Sequence, residues 1–149
     1  MDNLTATLKI VLANTFVMYF KAHSYHWNIE GKDFPQYHDF FGDLYQELFG
    51  AIALAAEHIR ILDVYAPISL NDLYSNKTII EDTIKPANCQ AMIINLMETN
   101  KEVINTLNMC FKLADEANEQ GLADFISGRL DAHKKHGWML KSSSKSLGE

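Results

Sequence analysis

Cysteine, proline and positive charge are all scarce in this sequence. Its 149 residues include two cysteines and three prolines, and thirteen basic residues face nineteen acidic ones, for a formal net charge of −6. Cys89 and Cys110 fall on one predicted helix, roughly 31 Å apart at about 1.5 Å rise per residue, too far to pair within a chain. A reducing cytosol fits that usage better than secretion. The acidic balance excludes a broad electropositive surface for nucleic acid or anionic membrane and makes cations the natural small partners. No apolar run is long enough to span a bilayer, and the N-terminus lacks the basic and apolar regions of a signal peptide, so a soluble cytoplasmic protein is expected. Pro35, Pro67 and Pro86 all fall at or near predicted helix boundaries, which points to an almost all-helical chain folding as one domain over residues 1–149.

What is present is helical periodicity. Leu4, Leu8, Val11, Thr15, Met18, Ala22, Tyr25 and Ile29 alternate four and three apart, one stripe of a long helix that Gly31 closes. After Pro35 a second stripe runs through Tyr37, Phe41, Leu44, Leu48, Ile52, Ala55, Ile59 and Leu62. A third helix, starting near Pro86, carries Cys89, Ile93, Leu96, Val103, Leu107, Cys110, Ala114 and Ala117. The fourth follows Gly121 with Leu122, Ile126, Leu130, His133, Gly137 and Leu140. Between the second and third helices, residues 63–85 can cross the full height of a bundle, and Ser69-Leu70-Asn71-Asp72 within them reads as a capped helix start. Two hairpins joined by one long crossover make the ferritin-like four-helix topology.

Bundles that hold two irons in their own core take Glu-x-x-His from two helices, because positions i and i+3 turn both ligands inward. That motif is absent. The candidate site instead lies in His26-Trp27-Asn28-Ile29-Glu30-Gly31, Phe34, His38 and Glu57. His26 ends one helix and His38 starts the next, so the Gly31 turn lets the two imidazoles meet. Glu57 stands further along the helix of His38, roughly 28 Å away, whereas metal bonds are about 2 Å long. Within one subunit these three cannot share an ion. Two subunits on a twofold axis, with their second helices antiparallel, can bring His26 and His38 of one to Glu57 of the other. Neutral imidazole suits iron or zinc, and the carboxylate adds charge balance.

In order and spacing, His26-Trp27-Asn28-Ile29-x-Gly31, Phe34, His38, Phe41, Leu44-Tyr45 and Ala56-Glu57-His58-Ile59 resemble the signature of the Dps family of mini-ferritins. Pro67-Ile68-Ser69-Leu70 is similar to that family's crossover helix, and His133-x-x-His136-Gly137-Trp138-Met139-Leu140 to its closing helix. The resemblance implies a hollow dodecameric shell that takes up ferrous iron, oxidises it with peroxide or oxygen at intersubunit sites, and stores ferric mineral. It also implies that His26, His38 and Glu57 are iron ligands. Two family aspartates are missing, replaced by Gly42 and Ala53. The second loss is the graver, since positions four apart share a helical face and an acid at 53 would grip the same metal as Glu57. A two-histidine, one-carboxylate site is left, suited to one divalent ion and to weak or altered oxidation chemistry.

Asp115, Glu116, Glu119 and Asp124 cluster at the turn into the fourth helix. They read either as a solvated acidic turn or, by the resemblance, as pore lining, with Glu119 and Asp124 the candidates. Trp27 reads as a packing or interface aromatic, His23 as a surface or supporting neighbour of His26, and His133 as a satisfied core histidine; His58 and His136 carry no functional reading. DNA binding is not expected: the first twenty residues hold only Lys9, and a dodecamer would carry about −72 in formal charge, twelve times −6. Two alternatives to iron storage stay open. One is a non-catalytic metal-binding shell or scaffold; the other, disfavoured by charge, is a DNA-compacting protein.

Overall fold

The computed structural model describes residues 2–83, 85 and 88–145. Five helices follow in order: α1 (Asp2–Asn28), α2 (Phe34–Ile61), α3 (Leu70–Tyr74), α4 (Cys89–Glu116) and α5 (Gln120–Ser144). No strand occurs among the described residues, and no helix among them is long and apolar enough to cross a membrane. The four long helices, of 27, 28, 28 and 25 residues, are each about 40 Å long.

Every member of the first predicted stripe, from Leu4 to Ile29, is buried. Helix α1 is the most enclosed, packing against both α2 and α4, and it buries Leu12, Ala13, Asn14, Val17 and Lys21 besides its stripe. The α2 stripe is buried apart from half-exposed Ile52 and Leu62. On α4 the stripe fades only at its ends, where Cys89 is half-buried and Ala117 exposed.

Helix boundaries differ slightly from the sequence reading. Helix α2 takes Pro35 into its first turn, where the missing N–H costs no helical hydrogen bond. Helix α4 begins at Cys89 because the Asn88 side chain accepts from the Ala91 N–H at 2.9 Å; Pro86 lies outside the described residues, as does the end of the tail from Ser146. Helix α5 starts at Gln120, just ahead of Gly121. The capped start in the crossover forms, with Ser69 Oγ accepting from the Asp72 N–H at 3.0 Å and opening α3.

The crossover is strapped to α1 and α4 by polar contacts. Asn14 holds Thr78 through two hydrogen bonds, of 2.8 and 2.9 Å. Further on, Asp82 Oδ2 accepts from the Tyr25 hydroxyl at 2.5 Å, and the buried Lys21 ammonium lies 3.8 Å from Asp82 Oδ1. Lys21 also donates to Asn95 Oδ1 at 2.8 Å and Thr99 Oγ1 at 3.1 Å, so its charge is enclosed but not unpaired.

Helices α2 and α5 touch sparsely, leaving a groove of about 430 Å³ lined by Phe40, Asp43, Glu47, Lys135, His136 and Met139. Glu47 bridges it, accepting from Arg129 at 2.5 and 3.0 Å and from His136 Nε2 at 2.7 Å. Burial pushes the Glu47 carboxyl upward, but the hydrogen bonds from His136 and Arg129 outweigh it and hold the group well below the ordinary carboxylate range. Behind this clamp, fully buried His133 donates from Nδ1 to Asn100 Oδ1 at 2.7 Å, and its Nε2 lies 3.3 Å from an Arg129 guanidinium nitrogen. Because the amide oxygen and the guanidinium fix opposite roles on its two nitrogens, His133 is neutral. Burial first, and then the Arg129 charge, keep it so.

Candidate metal centre

His26 sits in the last turn of α1 and His38 just past the first turn of α2. The turn between them passes through Gly31 at φ +117°, backbone that a side chain would strain, and reverses the chain so that the imidazoles meet. Their rings stack with centroids 3.8 Å apart and planes 16° from parallel. Each Nδ1 lies 2.7 Å from the other residue's backbone carbonyl oxygen. A carbonyl only accepts, so both Nδ1 atoms carry hydrogen, and in the neutral rings both Nε2 atoms keep a lone pair. The exchange locks the tautomer a metal ligand needs without enlisting any other side chain. It also satisfies the His26 carbonyl, one of the last four of α1 that lack a partner within the helix.

Gly42 has a part in this geometry beyond the missing ligand. A Cβ built at position 42 would lie 3.1 Å from both Nδ1 and Cε1 of His26. The His26 ring therefore rests on the bare backbone at Gly42 while reaching the carbonyl one turn earlier.

Glu57 is exposed on the same unbroken helix as His38, and Ala53, one turn before it, is exposed too. The continuity of α2 keeps Glu57 away from the imidazole pair of its own chain. Among the described residues of one chain, no group of three or more His, Cys, Asp or Glu side chains is arranged to hold a metal ion. The pair is two ligands awaiting others.

Around the pair lies a cluster of rings that the sequence reading did not assemble. His23 is stacked on Tyr45, with centroids 3.8 Å apart and planes 7° from parallel, and packs against Trp27 at 4.1 Å. Its Nδ1 is hydrogen-bonded to the Tyr19 hydroxyl at 2.9 Å. Tyr45 reaches His26, with ring centroids 5.3 Å apart. Burial, then the charge of nearby His26, lower the His23 pKa, while burial and neighbouring Tyr45 raise that of Tyr19. The available signal was Tyr19, His23 and Trp27 at four-residue spacing, which puts them on one face of α1. Tyr45 needed the α1–α2 packing to be known. Outward from the cluster, Phe20, Trp27, Phe49 and Leu54 leave a large apolar area exposed.

Of the acidic candidates, half-buried Glu119 is the N-cap residue of α5 without a side-chain cap, and it lines a hollow of about 170 Å³ with His58 and Leu62. Asp124 is exposed, and five positions along α5 put it on a different side of the helix from Glu119. His58 stacks on Phe125 at 4.9 Å. His136, for which the sequence suggested no role, is a buried partner of Glu47.

A family model for the ferritin-like domain matches residues 5–146. The chain is 29% identical over 132 residues to the DNA protection during starvation protein of Brevibacillus brevis, a match covering 88% of this chain and 87% of that one. Its fold matches Dps from Thermosynechococcus elongatus with a TM-score of 0.94 at 26% identity, covering 99% of this chain and 93% of that one. It also matches a Dps protein of Vibrio cholerae, described as a member of a broad superfamily of ferritin-like diiron-carboxylate proteins, with a TM-score of 0.91 at 27% identity over 97% and 90% of the two chains. With two long helical hairpins, the crossover helix and the imidazole pair at the α1–α2 turn, the chain belongs to the ferritin-like family and, within it, to the Dps mini-ferritins.

Proposed function

We propose that the chain is a mini-ferritin that binds ferrous iron between two copies of itself, oxidises it with peroxide or oxygen, and stores the ferric product inside a dodecameric shell, so limiting oxidative damage. The observation that carries this reading is the His26–His38 pair, whose Nδ1 atoms are committed to carbonyls and whose Nε2 atoms are free to ligate. Glu57 from a second copy is the third ligand. The exposed Phe20, Trp27, Phe49 and Leu54 beside the pair are the kind of surface a second copy would cover.

Two imidazoles and one carboxylate suit a single divalent ion with water in its remaining positions. Zinc, which such donors hold more tightly than ferrous iron, competes for the same site. With Gly42 and Ala53 in place of acids, a second iron has too little negative charge around it, and oxidation is slow for the family. Glu119 and Asp124, at the α4–α5 turn, draw cations toward pores between subunits. The negative net charge keeps DNA affinity negligible at physiological salt.

Those same substitutions favour a second reading, a shell that binds metal without oxidising it. Loading with ferrous iron and hydrogen peroxide separates the two. Storage predicts ferric ions accumulating per shell well beyond the number of sites, with a mineral core visible by electron microscopy. Arrest at one metal per site or fewer contradicts it and supports the scaffold.

A further inference from the structure

Hydrogen peroxide takes up two electrons, and a site holding one ferrous ion supplies only one. Beside the imidazole pair stands a phenol bonded to an imidazole: Tyr19 Oη lies 2.9 Å from His23 Nδ1. Among the described residues, no other tyrosine hydroxyl is bonded to a histidine. The rings between this pair and His26 are in contact, His23 stacked on Tyr45 at 3.8 Å and Tyr45 reaching His26 at 5.3 Å. Tyr19 is itself in ring contact with Tyr45, at 6.2 Å, and Phe49, at 5.2 Å, and is half-buried, away from bulk reductants.

We propose that Tyr19 supplies the second electron when one ferrous ion at the shared site reduces hydrogen peroxide, with His23 taking its proton. The proposal rests on the iron-oxidising reading above and adds a named donor to it. In the step, the peroxide O–O bond breaks and the oxygens leave as two hydroxide ions. One electron comes from Fe²⁺, which becomes Fe³⁺. The other comes from Tyr19, whose O–H bond breaks to give a neutral phenoxyl radical as the proton moves along the hydrogen bond to His23 Nδ1. Atoms and charge balance: Fe²⁺, peroxide, phenol and neutral imidazole give Fe³⁺, two hydroxides, phenoxyl and imidazolium. A second ferrous ion then reduces the phenoxyl, which takes its proton back from His23. The cycle thus oxidises two ferrous ions per peroxide although the site holds them one at a time.

The geometry explains why the donor is Tyr19. Trp27 also packs on His23, but its indole is 56% exposed and has no base bonded to it. Oxidation of a phenol is easier when its proton has somewhere to go, and the Tyr19–His23 bond provides that within the fold.

The assembled protein, given one ferrous ion per subunit and one equivalent of peroxide without oxygen and then frozen rapidly, is expected to give a tyrosyl radical by electron paramagnetic resonance. The signal should narrow with ring-deuterated tyrosine and vanish on adding more ferrous iron. Tyr19→Phe should lose most of the radical while binding Co²⁺ as the native protein does. In the metal-free protein, a photogenerated one-electron oxidant should oxidise Tyr19 with a solvent deuterium isotope effect that disappears in His23→Gln. An undiminished radical in Tyr19→Phe, a radical on tryptophan, or ferrous oxidation with no protein radical would overturn the proposal and leave the iron-oxidising function standing. Failure of the native protein to oxidise ferrous iron at all would overturn both.

Discussion

Replacing Glu57 with alanine is expected to weaken ferrous binding by more than about a hundredfold and to abolish rapid oxidation, since groups that only support metal ligands are already worth about 10–100-fold. Glu57 is the one anionic ligand left to the site, so without it a divalent ion faces two neutral imidazoles and water. The change should leave folding untouched: Glu57 is exposed on α2, and alanine is the best helix former. His38→Ala should be equally damaging to binding. It removes a ligand, and it also takes the donor from the His26 carbonyl and releases the ring that locks the His26 tautomer. Titration with Co²⁺, whose absorption reports its ligands, separates loss of binding from loss of oxidation. Native affinity in Glu57→Ala would remove the carboxylate from the site.

Restoring the missing acids should have unequal effects. Ala53→Asp places a carboxylate one turn before Glu57, exposed and on the same face, and is expected to raise divalent-ion affinity about tenfold or more through charge near the ion. Gly42→Asp should gain less, although it restores an equally ordinary family ligand. Its Cβ would sit 3.1 Å from His26 Nδ1 and Cε1, so the ring must yield by a few tenths of an ångström against a 2.7 Å hydrogen bond. Isothermal titration with Zn²⁺, together with stopped-flow iron oxidation, reads both variants. A larger gain from Gly42→Asp would mean that His26 moves freely and that its carbonyl bond is not what orders the site.

The helices were legible because burial follows period. The α1 stripe read from spacing alone is buried from Leu4 to Ile29, and Gly31 supplies the positive φ that its place in the turn required. The need for a second subunit was legible too, since helix geometry alone separates His38 from Glu57. Contacts between elements were not. Gly42 read as a lost ligand, and only the folded hairpin reveals the His26 ring lying on it. Glu47 drew no notice on an exposed helix position, yet it spans the α2–α5 groove to Arg129 and His136, residues about a whole crossover and hairpin away in sequence. Tyr45 joins His23 for the same reason: one-dimensional spacing gives the face of a helix but not what the neighbouring helix brings to it.

The central claim is that each metal site is built from two chains, the imidazole pair of one and Glu57 of the other. Mixed assembly tests it most directly. His38→Ala and Glu57→Ala subunits, each unable to bind metal alone, are dissociated, mixed and reassembled, and Co²⁺ binding is measured. In a mixed dimer one site has lost both contributions, while the other combines an intact imidazole pair with an intact Glu57. The account predicts that binding returns in the mixture, at one site per mixed dimer. Mixed dimers that bind no metal would contradict it.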